Sequence, residues 1–464
     1  VATVMPHGVL FRGGAELKIR KGLIEEDLLE AVVGLPANLF YGTGIPASIL
    51  VLRAKGAKPP ERRGKVLFIN ADAEYYTGRA QNYLLAEHIE KIGNAFEKFE
   101  HIPGYAAVVG RATLEENDWN LNIRRYADNA PPPEPHDVRA HLVGGVPRTE
   151  VAAQAMRFAA NGLDLGTLLV DRDDRYFDFH PELSRKSDIR ALIDAHSGVA
   201  GQETAIRAAL DKWWNDHQWV LVDLPETKEV MKARAALLDS FVMTLVPVGL
   251  LDRFQVAGIV AVWWEANQAE LRTLAARGFA GVMDSWVTTI LAALEDENDR
   301  SNPFGHRLVK RLLPEYVAEI TELEAKKAEL DTTIKAARAG GDDEENGDAE
   351  EDEDGLSEEE LKAKKRELTD VKRRLRSMRE SFAKQLRLAR GRLDDGACRE
   401  MVLSLLRSEL DGGLSRYVTA HRRELVGVFE NWWGKYRVTL REIEAKRDAV
   451  AQKLDTFLVS MNYG

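Results

Sequence analysis

"LLEAVVGLPANLFYGTGIPASILVLRA", Leu28 to Ala54, is the stretch on which the fold turns. Two short apolar runs, Leu28 to Gly34 and Ala47 to Leu52, predict strands. The loop between them sets Phe40 and Tyr41 beside a Gly42-Thr43-Gly44 turn. Upstream, Ala2 to Met5 predicts a further strand, and "VATVMPHGVLF" reads as buried β structure, so the chain is expected to begin inside a domain. A "FRGGAE" loop and a helix over Ala15 to Glu25 come next, with Leu17, Ile19, Leu23 and Ile24 near one face. Downstream, "KVLFINA", Lys65 to Ala71, is another continuous apolar strand. Apolar runs alternating with helices predict an α/β sheet covered on both faces.

Beyond this sheet the pattern changes. "NAPPPEP", Asn129 to Pro135, cannot continue a helix or a central strand, so 129–149 is expected to be a Pro-rich linker after a first domain over 1–128. Residues 150–305 read as a helical domain, with Trp213, Trp214, Trp219, Trp263, Trp264 and Trp286 expected in its core. Within 306–400, Leu313, Val317, Ile320, Leu323, Leu330 and Ile334 follow heptad-like steps, as do Leu361, Leu368, Val371, Leu375, Met378, Phe382 and Leu386. This predicts an antiparallel coiled-coil hairpin joined by an acidic, disordered segment, 339–356. The C-terminal segment, 401–464, is expected to include one amphipathic helix from Tyr417 to Met461. Tyr316, Phe382, Trp432, Trp433 and Tyr436 are expected to form an aromatic partner surface. The class expected is therefore α/β followed by all-α.

Of the 464 residues, 45% are hydrophobic and 30% charged, a globular composition. No apolar stretch approaches the ~18–20 residues of a membrane span. The lone cysteine, Cys398, excludes an internal disulfide and fits a reducing, cytoplasmic setting. A net charge of -11 argues against coating nucleic acid by bulk charge. The charges are segregated, however: Asp342 to Glu360 holds thirteen acids and no base, and Leu361 to Arg392 thirteen bases against three acids. No metal constellation, nucleophile elbow or Walker loop occurs. Lys18, Arg20 and Lys21, after the Gly-Gly loop, are candidate phosphate contacts on a helix face. Asn120 and Asn122 in "NLNIRRY" read as turn caps.

Three segments, "VMPHGVLFRGGAELKIRKGLIEEDLLEAVVGLPANLFYGTGIPASILVLRA", "GKVLFINADAEYYTGRAQNYL" and "ENDWNLNIRRYAD", resemble type I restriction-modification M subunits, gamma-class N6-adenine DNA methyltransferases. The resemblance covers roughly Val1 to Asp128, the C-terminal half of the catalytic domain, and continues loosely at "LLDRFQVAGIVAVWW". It implies a doubly wound sheet, S-adenosylmethionine as methyl donor, and an adenine flipped out of double-stranded DNA. It also implies an S subunit that reads sequence and an R subunit that cuts. In such enzymes an aromatic before a strand stacks on the flipped base. By position Phe40 matches it and Tyr41 is next, with Gly42, Thr43 and Gly44 letting backbone approach DNA. The family's Asn-Pro-Pro-aromatic motif and glycine-rich cofactor turn do not occur; "SNPFG", Ser301 to Gly305, is one proline short. The cofactor is therefore expected on a missing N-terminal half, with no cofactor-binding or catalytic residue in this chain. The competing expectation is a non-catalytic assembly or DNA-clamp protein, or one half of a split methyltransferase.

Overall fold

The computed structural model describes residues 1–130, 133–295, 302–339 and 358–461. The expected acidic segment, 339–356, lies outside them beyond Ala339. The chain divides into two compact units, one of Val1–His217, Arg234–Ala266 and Glu409–Gly464, the other of Gln218–Ala233 and Asn267–Ser408.

The first unit holds a five-stranded sheet. Its strands are β1 (Ala2–Pro6), β2 (Leu29–Gly34), β3 (Ala47–Leu52), β4 (Lys65–Asn70) and β7 (Ala106–Gly110), in the order β1-β3-β2-β4-β7. Between β4 and β7 come a two-stranded ribbon, β5 (Tyr76–Thr77) with β6 (Asn82–Tyr83), and a helix. Only β2 and β4 run parallel; the other neighbours are antiparallel. The central strands are buried on both faces, which their unbroken apolar sequences require. Val32, Val66 and Phe68 point to one core with Ile24 of α1 (Ala15–Glu25). Val33, Leu67 and Ile69 point to the other with Ala95 of α2 (Ala86–Lys98). Glu30, the one acid inside β2, is fully buried and takes ion pairs from Arg53 at 2.6 Å and Arg62 at 3.2 Å. The reading of β1 as buried is corrected: it is an edge strand, with Ala2, Val4 and Pro6 exposed.

The same unit has a second core. Val146, Phe158, Leu169 and Ile189 pack with Leu425, Phe429, Trp432 and Tyr436. Buried Glu150 accepts a hydrogen bond from Lys435 Nζ at 3.2 Å and another from Tyr436 Oη. In the expected linker 129–149, Val138–Val143 is helical and Val146–Pro147 pairs with Tyr176–Phe177.

In the second unit, helices Pro314–Ala339 and Glu358–Gly391 pack through Leu323, Leu330, Leu368, Val371 and Leu375. Lys326–Glu367 and Arg374–Glu319 tie their flanks. Five of the six tryptophans expected in a core are buried; Trp219 is exposed, a correction.

Two further corrections concern the C-terminus. Phe382, Trp432 and Tyr436 are buried, so the expected aromatic surface is core. The helix expected over Tyr417 to Met461 is two helices, Asp395–Tyr436 and Leu440–Ser460. A capping box starts the second: Thr439 Oγ1 accepts from Glu442 N at 3.1 Å, and the Glu442 carboxylate accepts from Thr439 N at 2.9 Å. Every residue from Leu440 to Met461 is exposed.

Candidate nucleic-acid interface

The carboxyl ends of β2 and β4 lie side by side, Gly34 opposite Asn70. Ligand crevices form outside such ends in α/β sheets. Two loops leave from here. The first, 35–46, is closed at its base by Leu35 N donating to Ala47 O at 2.9 Å. Leu39 anchors it on the sheet core. Phe40 and Tyr41 are left outside, 41% and 94% exposed. Thr43 N donates to Phe40 O at 3.4 Å, closing a tight turn, and Ile45 N donates to Thr43 Oγ1 at 3.1 Å. Gly42 has φ +77°, a left-handed conformation that admits glycine at no steric cost, and Gly44 has open space around it.

The second loop carries the β5–β6 ribbon. Asn82 N donates to Asn38 O at 2.8 Å and Asn82 Nδ2 to Ala37 O at 2.9 Å, so the ribbon is bound to the first loop. Tyr75, Tyr76 and Tyr83 are exposed on it. Sequence reasoning gave them no role; "YYTGRAQNY" carried the signal, two aromatic ends around a Gly-containing turn.

A strap of polar residues closes the rest of this sheet end. Asp72 takes Arg124 at 2.7 Å and also accepts from Asn129. Asn70 Nδ2 donates to Ala127 O at 2.9 Å. Asn120 Oδ1 accepts from Asn122 N, and Asn122 Oδ1 from Arg124 N, so both asparagines cap turns. His7 Nε2 donates to Ala47 O at 3.0 Å. Burial pushes the His7 pKa down, against the opposing pull of the Ala47 carbonyl and Asp72.

The three candidate cations part company. Lys18 and Lys21 are exposed, and Lys21 lies 3.8 Å from Glu25. Arg20 is turned inward. It is buried, donates to Val9 O at 2.8 Å and Trp119 O at 3.2 Å, and burial lowers its pKa. It braces the protein's own carbonyls and is removed from the phosphate candidates.

Among the described residues no group of three or more His, Cys, Asp or Glu could hold a metal ion. No helix among them is long and apolar enough to cross a membrane. Asn70 and Asp72, polar side chains at the strand ends, are engaged by the strap, and the Gly42-Thr43-Gly44 turn after β2 has Asn38 rather than an acid two residues before its aromatic.

Residues 1–134 match the N-6 DNA Methylase family. The resemblance is to the methylase subunits of type I restriction enzymes. Over 145 residues the chain is 41% identical to the type I restriction enzyme MjaVII methylase subunit of Methanocaldococcus jannaschii, covering 31% of this chain and 25% of that one. The MjaVIII methylase subunit of the same organism is 45% identical over 126 residues, 26% and 22% of the two chains. The MpnII methylase subunit of Mycoplasma pneumoniae is 32% identical over 138 residues, 30% and 25%. Among solved structures, a type I restriction-modification methyltransferase subunit from Streptococcus thermophilus is 46% identical, with a TM-score of 0.26 over 27% of this chain and 26% of that one. The chain spans about a quarter of the length of these curated relatives.

Proposed function

We propose that the chain carries the target-base side of a type I restriction-modification methylase subunit, an enzyme that methylates adenine N6 in double-stranded DNA. The observation that carries this reading is the Phe40–Thr43 turn: an exposed aromatic at the carboxyl ends of a sheet whose sequence matches the N-6 DNA methylases. Phe40 offers a flat face to a base turned out of the duplex, and Tyr41 the next face along the loop. Gly42, Thr43 and Gly44 bring backbone close to the strand, and Lys18 and Lys21 are the remaining phosphate contacts. S-adenosylmethionine and the Asn-Pro-Pro-aromatic motif would come from polypeptide other than this sequence, so the chain alone is inactive. Its partners are an S subunit, docked on the exposed helix Leu440–Ser460, and an R subunit, all in the cytoplasm.

Phe40→Ala in the complete enzyme should lower methylation by about 1–3 kcal/mol of stacking, roughly 5- to 150-fold. Cofactor affinity should stay unchanged, and 2-aminopurine at the target position should report the lost base contact. Normal methylation with a full 2-aminopurine signal would make Phe40 a packing residue. An in-frame upstream sequence lacking both motifs would favour the split-enzyme or DNA-clamp alternative.

A further inference from the structure

The β5–β6 ribbon is too short to be stable by itself. It is held in place by Asn82 on the first loop and by its own turn, where Gly78 N donates to Gln81 O at 3.0 Å. A Cβ on Gly78 would lie 2.4 Å from the Tyr83 ring, so that ring packs directly on the glycine. Tyr76 and Tyr83 are cross-strand partners and therefore share one side of the ribbon. They nevertheless stay 58% and 46% exposed, and Tyr75 beside them 40%. So the chain fixes the backbone of this hairpin and leaves about half of each ring to solvent.

The charge pattern narrows the occupant. Residues 35–46 and 75–86 contain no carboxylate and one cation, Arg79, in a chain with 75 acidic residues. Arg79 is exposed and has no ion-pair partner among the described residues. Exposed aromatic rings, a cation and no carboxylate suit a polyanion whose bases can stack. They suit a protein surface less well, since nothing here opposes a partner's own cations.

We propose that the β5–β6 ribbon is a second DNA contact, which holds the strand flanking the extruded base. Tyr76 and Tyr83 supply stacking faces and Arg79 a phosphate contact. This deepens the function proposed above and rests on it.

The test uses the full chain and a short fluorescein-labelled duplex carrying one unpaired 2-aminopurine, read by anisotropy. Tyr76→Ala and Tyr83→Ala should each weaken binding about fivefold or more. Tyr76→Phe and Tyr83→Phe, which keep the ring, should bind near the unmodified level, which separates lost stacking from lost folding. Arg79→Gln should lower the salt dependence by about one released counterion. If the ribbon variants bind like the unmodified chain while Phe40→Ala weakens binding, the ribbon faces something else, such as a protein subunit, and this inference falls alone. If only the ribbon variants weaken binding, the ribbon contact stands and the role given to Phe40 fails. An unmodified chain that does not bind the probe overturns both.

Discussion

Replacing Leu454 and Phe457 by alanine should weaken binding to the S subunit proposed above as partner while leaving this chain folded. In the helix Leu440–Ser460 and its C-cap, the positions Leu440, Ile443, Arg447, Val450, Leu454, Phe457 and Met461 fall at alternating three- and four-residue steps. That is the spacing of one coiled-coil seam, with a single polar residue, Arg447, in it. Leu454 and Phe457 are 58% and 64% exposed. Full burial of such a side chain is worth about 1.5–3 kcal/mol, so covering the exposed part contributes about 1–2 kcal/mol per residue. The double variant should therefore lose about 2–3.5 kcal/mol of binding, a dissociation constant roughly 30- to 400-fold weaker. Alanine keeps helix propensity, and no residue of this helix is buried, so the melting curve of the free chain should not move. Titration calorimetry with the S subunit reads the affinity, and light scattering after size exclusion reads the assembly. A complex of unchanged affinity would refute the reasoning and send the interface elsewhere.

Three other outcomes are expected. Titration of the chain with S-adenosylmethionine should give no micromolar binding; heat of binding in that range would expose a cofactor site misread above. Arg20→Met should lower stability by about 2–4 kcal/mol in urea melts, because the carbonyls of Val9 and Trp119 lose their donor, while affinity for DNA stays the same. Burial lowers the pKa of both His7 and His421 in the folded chain. Below the ordinary histidine value the unfolded chain takes up protons that the folded one refuses, so stability present above about pH 6.5 is lost as pH falls through the folded pKa. His7→Gln with His421→Gln should shrink the drop in melting temperature between about pH 7.5 and 5.5, and an undiminished drop would assign it to other groups.

Local signals carried the first domain far. Both ends of Ala15–Glu25 and Ala47–Leu52 were readable because turn residues bound each apolar run. The aromatic turn at Phe40 was equally readable, since its closing bond runs between Phe40 and Thr43, although Asn82 ties the loop before it from more than 40 residues away. Arg20 was missed for another reason: a helical wheel sets it across the helix from Lys18 and beside Leu17 and Ile24, but its partners Val9 and Trp119 lie 11 and 99 residues away. The break before Leu440 was legible in Thr439-Leu440-Arg441-Glu442, a capping box inside a pattern that otherwise reads as continuous. The β1 edge was misread because an apolar strand looks alike whether it has one neighbour or two. The make-up of the units was beyond reach, since a hydrophobic pattern shows which face is buried and not what covers it.

The second core of the first unit has a consequence for biosynthesis. Phe158, Ile189 and Val199 are covered by Leu425, Phe429 and Trp432, more than 200 residues further along the chain. On a ribosome adding about 5–20 residues per second, the early half of that core waits roughly 10–50 s for its lid. During that interval a translating cell holds a nascent chain with an open apolar face. Chaperone occupancy on the ribosome should therefore begin near residue 200 and end only after Trp432 has emerged.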